Sequence, residues 1–134
     1  MKYKEVKNHY KSGQLKFHYF VDDIRHMHSE FRRYHKNGQI GCHYFRYHGY
    51  DYGEVKTFNG DGSLLQHYLK DGNGNELATV IENGKPATHT EEQLIEIAKE
   101  HGVPLLSDLP KTEAELTHWN LKYPDLPCLP ITTD

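Results

Sequence analysis

Three segments in the first two thirds of the chain repeat one sixteen-residue pattern without gaps. In one-letter code they are EVKNHYKSGQLKFHYF, EFRRYHKNGQIGCHYF and EVKTFNGDGSLLQHYL, and a truncated fourth copy follows them. We call the copies unit 1 (residues 5–20), unit 2 (residues 30–45), unit 3 (residues 54–69) and unit 4 (residues 76–86). A period of about two dozen residues is typical of architectures in which each unit contacts mainly its neighbours.

Each unit has the features of a β-hairpin. Two limbs rich in β-branched and aromatic residues flank a short turn that contains glycine. The turns are Ser12-Gly13, Asn37-Gly38, Asp61-Gly62 and Asn83-Gly84, and glycine and asparagine tolerate the positive φ that tight turns need. We therefore predict a mainly β fold over residues 1–86, an extended antiparallel meander of about seven strands. Longer loops are expected between units, at residues 21–29, 46–53 and 70–75.

Residues 87–134 carry helical signals instead. Thr90 to Gln93 and Thr112 to Glu115 both match the capping box that starts a helix. Residues 103–106 between the two helices are expected to be extended. We predict a helical C-terminal extension that packs on the sheet or caps it, and the alternative is that these helices bind the partner.

Composition and charge restrict the class of protein. The mean hydropathy is −0.85, and no apolar run is long enough to span a membrane. No apolar segment follows the start, and two cysteines are too few for a disulfide scaffold. These features predict a cytoplasmic protein with no membrane partner. All four arginines lie in the first 58 residues, whereas the remainder is acidic, which indicates a polarised surface.

The turn-centred pattern resembles a known repeat family. Residues 53–64 (GEVKTFNGDGSL) resemble the MORN (membrane occupation and recognition nexus) repeat, and residues 34–40 and 10–15 look closer to its variant in bacterial antitoxin-like proteins. The similarity covers about residues 3–86. It implies hairpin repeats in an extended sheet that serves as an interaction surface, with no catalytic residues. The tryptophan usual in that family is replaced by Val6, Phe31 and Val55.

The repeated histidines are candidate metal ligands, but their spacing argues against a metal site. Equivalent positions in successive hairpins lie two strands apart, about 9.5 Å, whereas zinc needs each nitrogen within about 2.1 Å of one ion. His26 and His28 form a better local pair but have no third ligand at a diagnostic spacing. Cys42 and His43 face opposite sides of a strand, and no catalytic motif occurs. We therefore expect no enzyme activity, no metal and no cofactor.

Protein recognition fits the residue pattern best, because tyrosine and arginine dominate binding hot spots. Residues 46–53 hold three tyrosines and an arginine. The predicted function is a small non-catalytic inhibitor, antitoxin-like or of a phage type, that blocks a toxin or host protein. The alternative is single-stranded nucleic-acid (RNA) binding, since basic side chains alternate with aromatic rings. The predicted partner-binding residues are Tyr47, Tyr50, Tyr52, Arg46, His18, Phe20, Arg32, Tyr34, His43, Phe45 and His67.

Overall fold

A computed structural model of the chain describes residues 3–22 and 29–129. Its strands form one antiparallel sheet in which every strand pairs with the next in sequence. The predicted β meander is confirmed, with eight strands rather than seven because unit 4 adds a two-residue strand. The strands are β1 (Lys4–His9), β2 (Leu15–Val21), β3 (Ser29–Tyr34), β4 (Ile40–Tyr47), β5 (Tyr50–Phe58), β6 (Leu64–Asp71), β7 (Glu76–Glu82) and β8 (Lys85–Pro86).

The turns inside units 1 to 3 are alike. In unit 1, Tyr10 N–H donates to the carbonyl of Gln14 (2.9 Å), and Gly13 N–H donates to the carbonyl of Tyr10 (3.0 Å). The same two hydrogen bonds recur at His35 in unit 2 and at Asn59 in unit 3. The turn glycines all have φ between 87° and 95°, a backbone conformation that glycine adopts without steric cost. The glycine column of the repeat therefore specifies these turns.

The junction between units 2 and 3 differs from the prediction. Residues 46–53 were expected to form a loop, but β4 and β5 continue to a two-residue turn at His48-Gly49. Both turn residues have positive φ, 52° and 82°, as a tight hairpin turn requires. Two-residue hairpin turns are marked in a sequence mainly by Asn-Gly, Asp-Gly or Gly-Gly. His48-Gly49 is none of these pairs, so the turn was not predicted. The junction at residues 70–75 is also short, and residues 23–28 of the first junction lie outside the described residues.

Alternation along the strands sorts the side chains onto two faces. One face, which we call the histidine face, carries the repeated glutamate and histidine of units 1 to 3. The opposite face, which we call the aromatic face, carries stacked rings around Phe31, whose centroid lies 5.3 Å from that of Tyr19 and 4.8 Å from that of Tyr44. The aromatic rings on this face therefore pack against one another.

The C-terminal part packs on the histidine face. Helix α1 (Glu91–His101) begins at the predicted capping box of Thr90 and Gln93, and it buries Leu94 and Ala98 against Leu69 of β6. A 3₁₀ turn (Leu106–Asp108) and helix α2 (Glu113–Lys122) follow. Among residues 3–22 and 29–129, no helix has the length and apolar character needed to cross a membrane.

Helix α2 places the single tryptophan on the sheet. Thr112 caps the helix by accepting from Glu115 N–H (3.1 Å), whereas the Glu115 carboxylate accepts from Lys111 N–H and so completes no capping box. Trp119 stacks on Phe45 of β4, with ring centroids 5.6 Å apart. The two helices thus cover the sheet over units 2 to 4, and Trp119 reports on that contact.

Candidate functional site

Units 1 to 3 each bring their glutamate close to their histidine on the histidine face. The Nε2 atom of His43 lies 2.7 Å from Glu30 Oε2, and the Nε2 atom of His67 lies 2.7 Å from Glu54 Oε2. An ionised carboxylate can only accept hydrogen bonds, so the imidazole Nε2 is the donor in both pairs. The strand register creates these pairs, because the glutamate and the histidine lie diagonally across one hairpin.

Glu30 uses its remaining groups to hold a distant segment of the chain. Its N–H donates to the carbonyl of Pro127 (3.1 Å), and its Oε1 accepts from the N–H of Leu129 (2.9 Å). Among the residues that the structure describes, β2 and β3 pair at residues 17–18 and 32–33, and Glu30 N–H lies beyond this stretch. One glutamate therefore holds the C-terminal segment by both its backbone and its side chain.

Glu54 repeats this arrangement in unit 3. Its N–H donates to the carbonyl of Pro104 (2.9 Å), and its Oε1 accepts from the N–H of Leu106 (2.8 Å). A β-bulge between β4 and β5 frees Glu54 N–H from the strand ladder. We call each of these arrangements a glutamate clamp. In a glutamate clamp the carboxylate accepts from the histidine of its unit and from the N–H two residues after a proline, and the glutamate's own N–H donates to the carbonyl of that proline.

The two bound segments share a pattern. Residues 103–106 are Val-Pro-Leu-Leu and residues 126–129 are Leu-Pro-Cys-Leu. The apolar residue before each proline joins the cluster around the equivalent sheet residue: Val103 the cluster of Leu69, and Leu126 the cluster of Phe45. Each clamp thus takes an apolar residue, a proline, a variable residue and leucine, and it combines two hydrogen bonds with apolar burial.

Burial of the clamps would by itself raise the pKa of both carboxyl groups. For Glu30, the hydrogen bond from His43 and the positive charge of Arg32, whose Nε lies 2.6 Å away, outweigh burial and lower the pKa. For Glu54, hydrogen bonds from His67 and from the N–H of Leu106 lower the pKa. Both clamps are therefore built around the ionised carboxylate.

Acid should release the C-terminal segment. Because both pKa values lie below the ordinary 4.5, the carboxylates stabilise the fold above that pH, and this contribution is lost as the pH falls through the lowered values. Trp119 is 3% exposed and donates to the Leu126 carbonyl (2.8 Å), so its emission should shift to the red below pH 4.5. A fluorescence titration measures this shift. Emission that stays constant from neutral pH to about pH 2 would contradict the clamp model.

The β4–β5 hairpin ends in the predicted tyrosine cluster. Tyr50 is 55% exposed, whereas Tyr47 and Tyr52 lie ring to ring with centroids 5.6 Å apart. The hairpin is held by Arg46, whose Nη1 donates to the Gly49 carbonyl (3.1 Å) and whose Nε lies 3.2 Å from Asp51 Oδ1. Tyr50 is therefore presented on a well-braced turn.

Two grooves flank this hairpin. A groove of about 320 Å³ is lined by Tyr47, Tyr52, Tyr123 and Leu126 among others. A second groove of about 250 Å³ runs between Tyr50 and Lys70. An exposed aromatic ring beside grooves is a shape suited to anchoring a protein partner.

The structure does not gather the predicted binding residues into one surface. Tyr50 is at the hairpin tip, whereas Phe45 and His67 are buried beneath the C-terminal part. Arg32 and His43 are bound to Glu30. The backbone carbonyl of half-buried Tyr34 accepts from Tyr10 Oη (2.9 Å). His18 and Phe20 lie in unit 1, outside both clamps.

The glutamates that organise this face were not among the residues predicted from the sequence. A signal was present, because the glutamate precedes the histidine by the same number of residues in all three units. The prolines of the two bound segments are likewise nearly one repeat length apart. Folding each unit on its glycine turn would have placed the glutamate beside the histidine.

Other chemistry has limited support. Within the described parts of the chain, no three histidine, cysteine or acidic side chains are grouped to hold a metal ion, and His26 and His28 lie outside them. Burial raises the pKa of the Cys42 thiol and raises that of Cys128 to about 11, which disfavours reactive thiolates. Compared with protein-family models, curated proteins and solved structures, the chain matches none of them.

Proposed function

We propose that this chain is a non-catalytic protein-binding module. The observation that carries the proposal is the β4–β5 hairpin, which exposes Tyr50 at the wall of one groove and contributes Tyr47 and Tyr52 to a second. A tyrosine offers a large contact area at low cost in conformational entropy, and a rigid hairpin lowers that cost further. The paired Tyr47 and Tyr52 rings form the base on which the partner rests.

The glutamate–histidine pairs support a structural role in place of catalysis. In other proteins a carboxylate beside an imidazole orients a catalytic base. Here, however, both oxygens of Glu30 and both oxygens of Glu54 are already occupied by internal donors. A carboxylate saturated in this way organises the fold and has little capacity left to act on a substrate.

We further propose that the module acts by occupying its partner, as an inhibitor or an antitoxin does. The support is the resemblance of units 1 to 3 to antitoxin-like MORN repeats, together with the small size of the chain, and this is an argument from analogy. The basic first half of the chain would steer an acidic partner surface toward the hairpin.

Removal of the Tyr50 ring should weaken partner capture. Tyr50→Ala is expected to weaken binding by tenfold or more, since a central aromatic anchor contributes about 2 kcal/mol or more. The ring is exposed, so stability should hardly change. Pull-down from host lysate with mass spectrometry identifies the partner, and calorimetry then measures affinity. Leu121→Ala, which alters a 79% exposed side chain on α2, is the matched control. Equal affinity of Tyr50→Ala and the unaltered chain would refute the hairpin as the binding site.

The same preparation tests the nucleic-acid alternative. Filter binding of single-stranded RNA at several salt concentrations gives a steep salt slope when phosphate contacts dominate. We expect weak binding, because Arg32 and Arg46 are paired with Glu30 and Asp51. Tight, salt-sensitive RNA binding that Tyr50→Ala leaves unchanged would favour the alternative.

A further inference from the structure

Unit 1 carries the same glutamate and histidine as the two glutamate clamps, but within residues 3–22 and 29–129 no proline segment is hydrogen-bonded to its Glu5. Glu5 pairs across its hairpin with Phe20, as Glu30 pairs with Phe45 and Glu54 with Leu69. His18 holds the histidine position, with its Nε2 3.3 Å from Glu5 Oε2. The three units are thus equivalent in register and in residue type.

Exposure distinguishes unit 1 from the other two units. The Glu5 side chain is 38% exposed, against 1% for Glu30 and 8% for Glu54. Its Oε1, the oxygen that binds the incoming N–H in both clamps, lies 3.9 Å from the exposed ammonium of Lys7. A surface ion pair of this length contributes little, so a peptide N–H can replace it at low cost.

His18 lacks the aligned hydrogen bond that its counterparts His43 and His67 make with their glutamates. The residue is 9% exposed, and its Nε2 is a buried atom without a hydrogen-bond partner among the described residues, because the approach of Glu5 is not aligned. A buried polar atom in this state costs free energy that a correctly placed partner recovers. In units 2 and 3 the glutamate that holds a proline segment is also aligned with its histidine.

The backbone N–H of Glu5 is also placed to bind a peptide. In both clamps the glutamate N–H points away from its hairpin and donates to a proline carbonyl. β1 is the edge strand of the sheet, so by the same register Glu5 N–H faces a side on which no described strand lies. An extended peptide that docks at a sheet edge is a common mode of recognition.

We propose that Glu5, His18 and Phe20 form a third, open glutamate clamp that binds an extended segment of a partner protein with the pattern apolar–proline–any residue–apolar. The inference rests on the proposed function and names the chemistry of the partner. The occupant is defined by the chain itself, since two segments of that pattern fill the two equivalent clamps with the same two hydrogen bonds. In the complex, Glu5 N–H donates to the carbonyl of the peptide's proline. The Glu5 carboxylate accepts from the N–H of the residue two positions after that proline, and Phe20 packs against the apolar residue before it.

A synthetic peptide tests this site directly. The probe is a fluorescent, blocked peptide with the sequence of residues 102–107, titrated with the full chain and followed by anisotropy. We expect saturable binding that Glu5→Ala weakens at least tenfold and that Glu76→Ala, at the equivalent exposed position of unit 4, leaves unchanged. The same peptide with an N-methyl group on the residue two after proline loses the donor to the carboxylate and should bind at least tenfold more weakly. Amide NMR shifts should map to Glu5 and His18.

Several outcomes would contradict the third clamp or assign it a different occupant. Equal binding by Glu5→Ala, or shifts confined to Glu30 and Glu54, would overturn the third clamp. If the peptide binds only after Ile131→Asp is introduced, the chain's own last residues compete for the site, and the occupant is that segment and not a partner protein. A dimer in sedimentation that Glu5→Ala dissociates would assign it to a second copy. If the peptide fails while Tyr50-dependent capture persists, only this inference falls and the proposed function stands.

Discussion

Glu30→Ala is expected to lower the free energy of unfolding by about 3–5 kcal/mol, because it leaves buried partners without their common acceptor. The carboxylate accepts from the N–H of Leu129, from His43 and from Arg32, at distances of 2.6–2.9 Å. Alanine removes all three contacts and leaves a cavity beside Phe45. The loss should therefore combine unpaired donors with poorer packing.

The chain provides a matched control for this substitution. Glu5→Ala removes the same side chain at the same register position, but the exposed Glu5 makes only ion pairs of 3.3 and 3.9 Å. Its cost should stay below about 1 kcal/mol. Urea unfolding followed by Trp119 fluorescence and by circular dichroism measures both variants. Equal losses at Glu5 and Glu30 would show that the hairpin, and not the C-terminal segment, accounts for the effect.

The repeated hairpins could be predicted because their determinants are local. Gly13, Gly38 and Gly62 fix three turns within a few residues of sequence, and Asn83-Gly84 fixes the last. Strand order then follows, since each strand pairs with its neighbour in the chain. The capping signal at Thr90 is equally local and gave the start of α1 correctly.

The attachment of the C-terminal segments to Glu30 and Glu54 could not be predicted in the same way, because it joins residues far apart in the chain. Glu30 binds Leu129 across 99 positions, and Glu54 binds Leu106 across 52. In neither pair does the local sequence around one residue identify the other residue. These contacts decide which glutamate–histidine pairs are covered by the C-terminal segments. The tyrosine cluster could be predicted from the local composition. The turn that presents Tyr50 was not predicted, because it contains His48 at positive φ and not the usual asparagine or aspartate.

Gly53→Ala should detach the unit 3 clamp and destabilise the chain by about 3 kcal/mol. Gly53 precedes Glu54 and has a φ of 78°. A Cβ atom there would lie 2.3 Å from the Pro104 carbonyl oxygen and 2.8 Å from its ring. The backbone would have to move, and the hydrogen bond between Glu54 N–H and Pro104 would be lost. Only a residue without a side chain lets the proline approach this closely.

Gly49→Ala separates this steric effect from backbone strain. Gly49 has a similar φ of 82°, but nothing lies within 4 Å of the added Cβ, so only the strain of about 1–2 kcal/mol applies. Urea unfolding should therefore rank Gly53→Ala well below Gly49→Ala in stability. Hydrogen exchange should show faster exchange of the Glu54 and Leu106 amides in Gly53→Ala alone. If both variants lose the same stability and keep those amides protected, the close approach of Pro104 to β5 does not stabilise the fold.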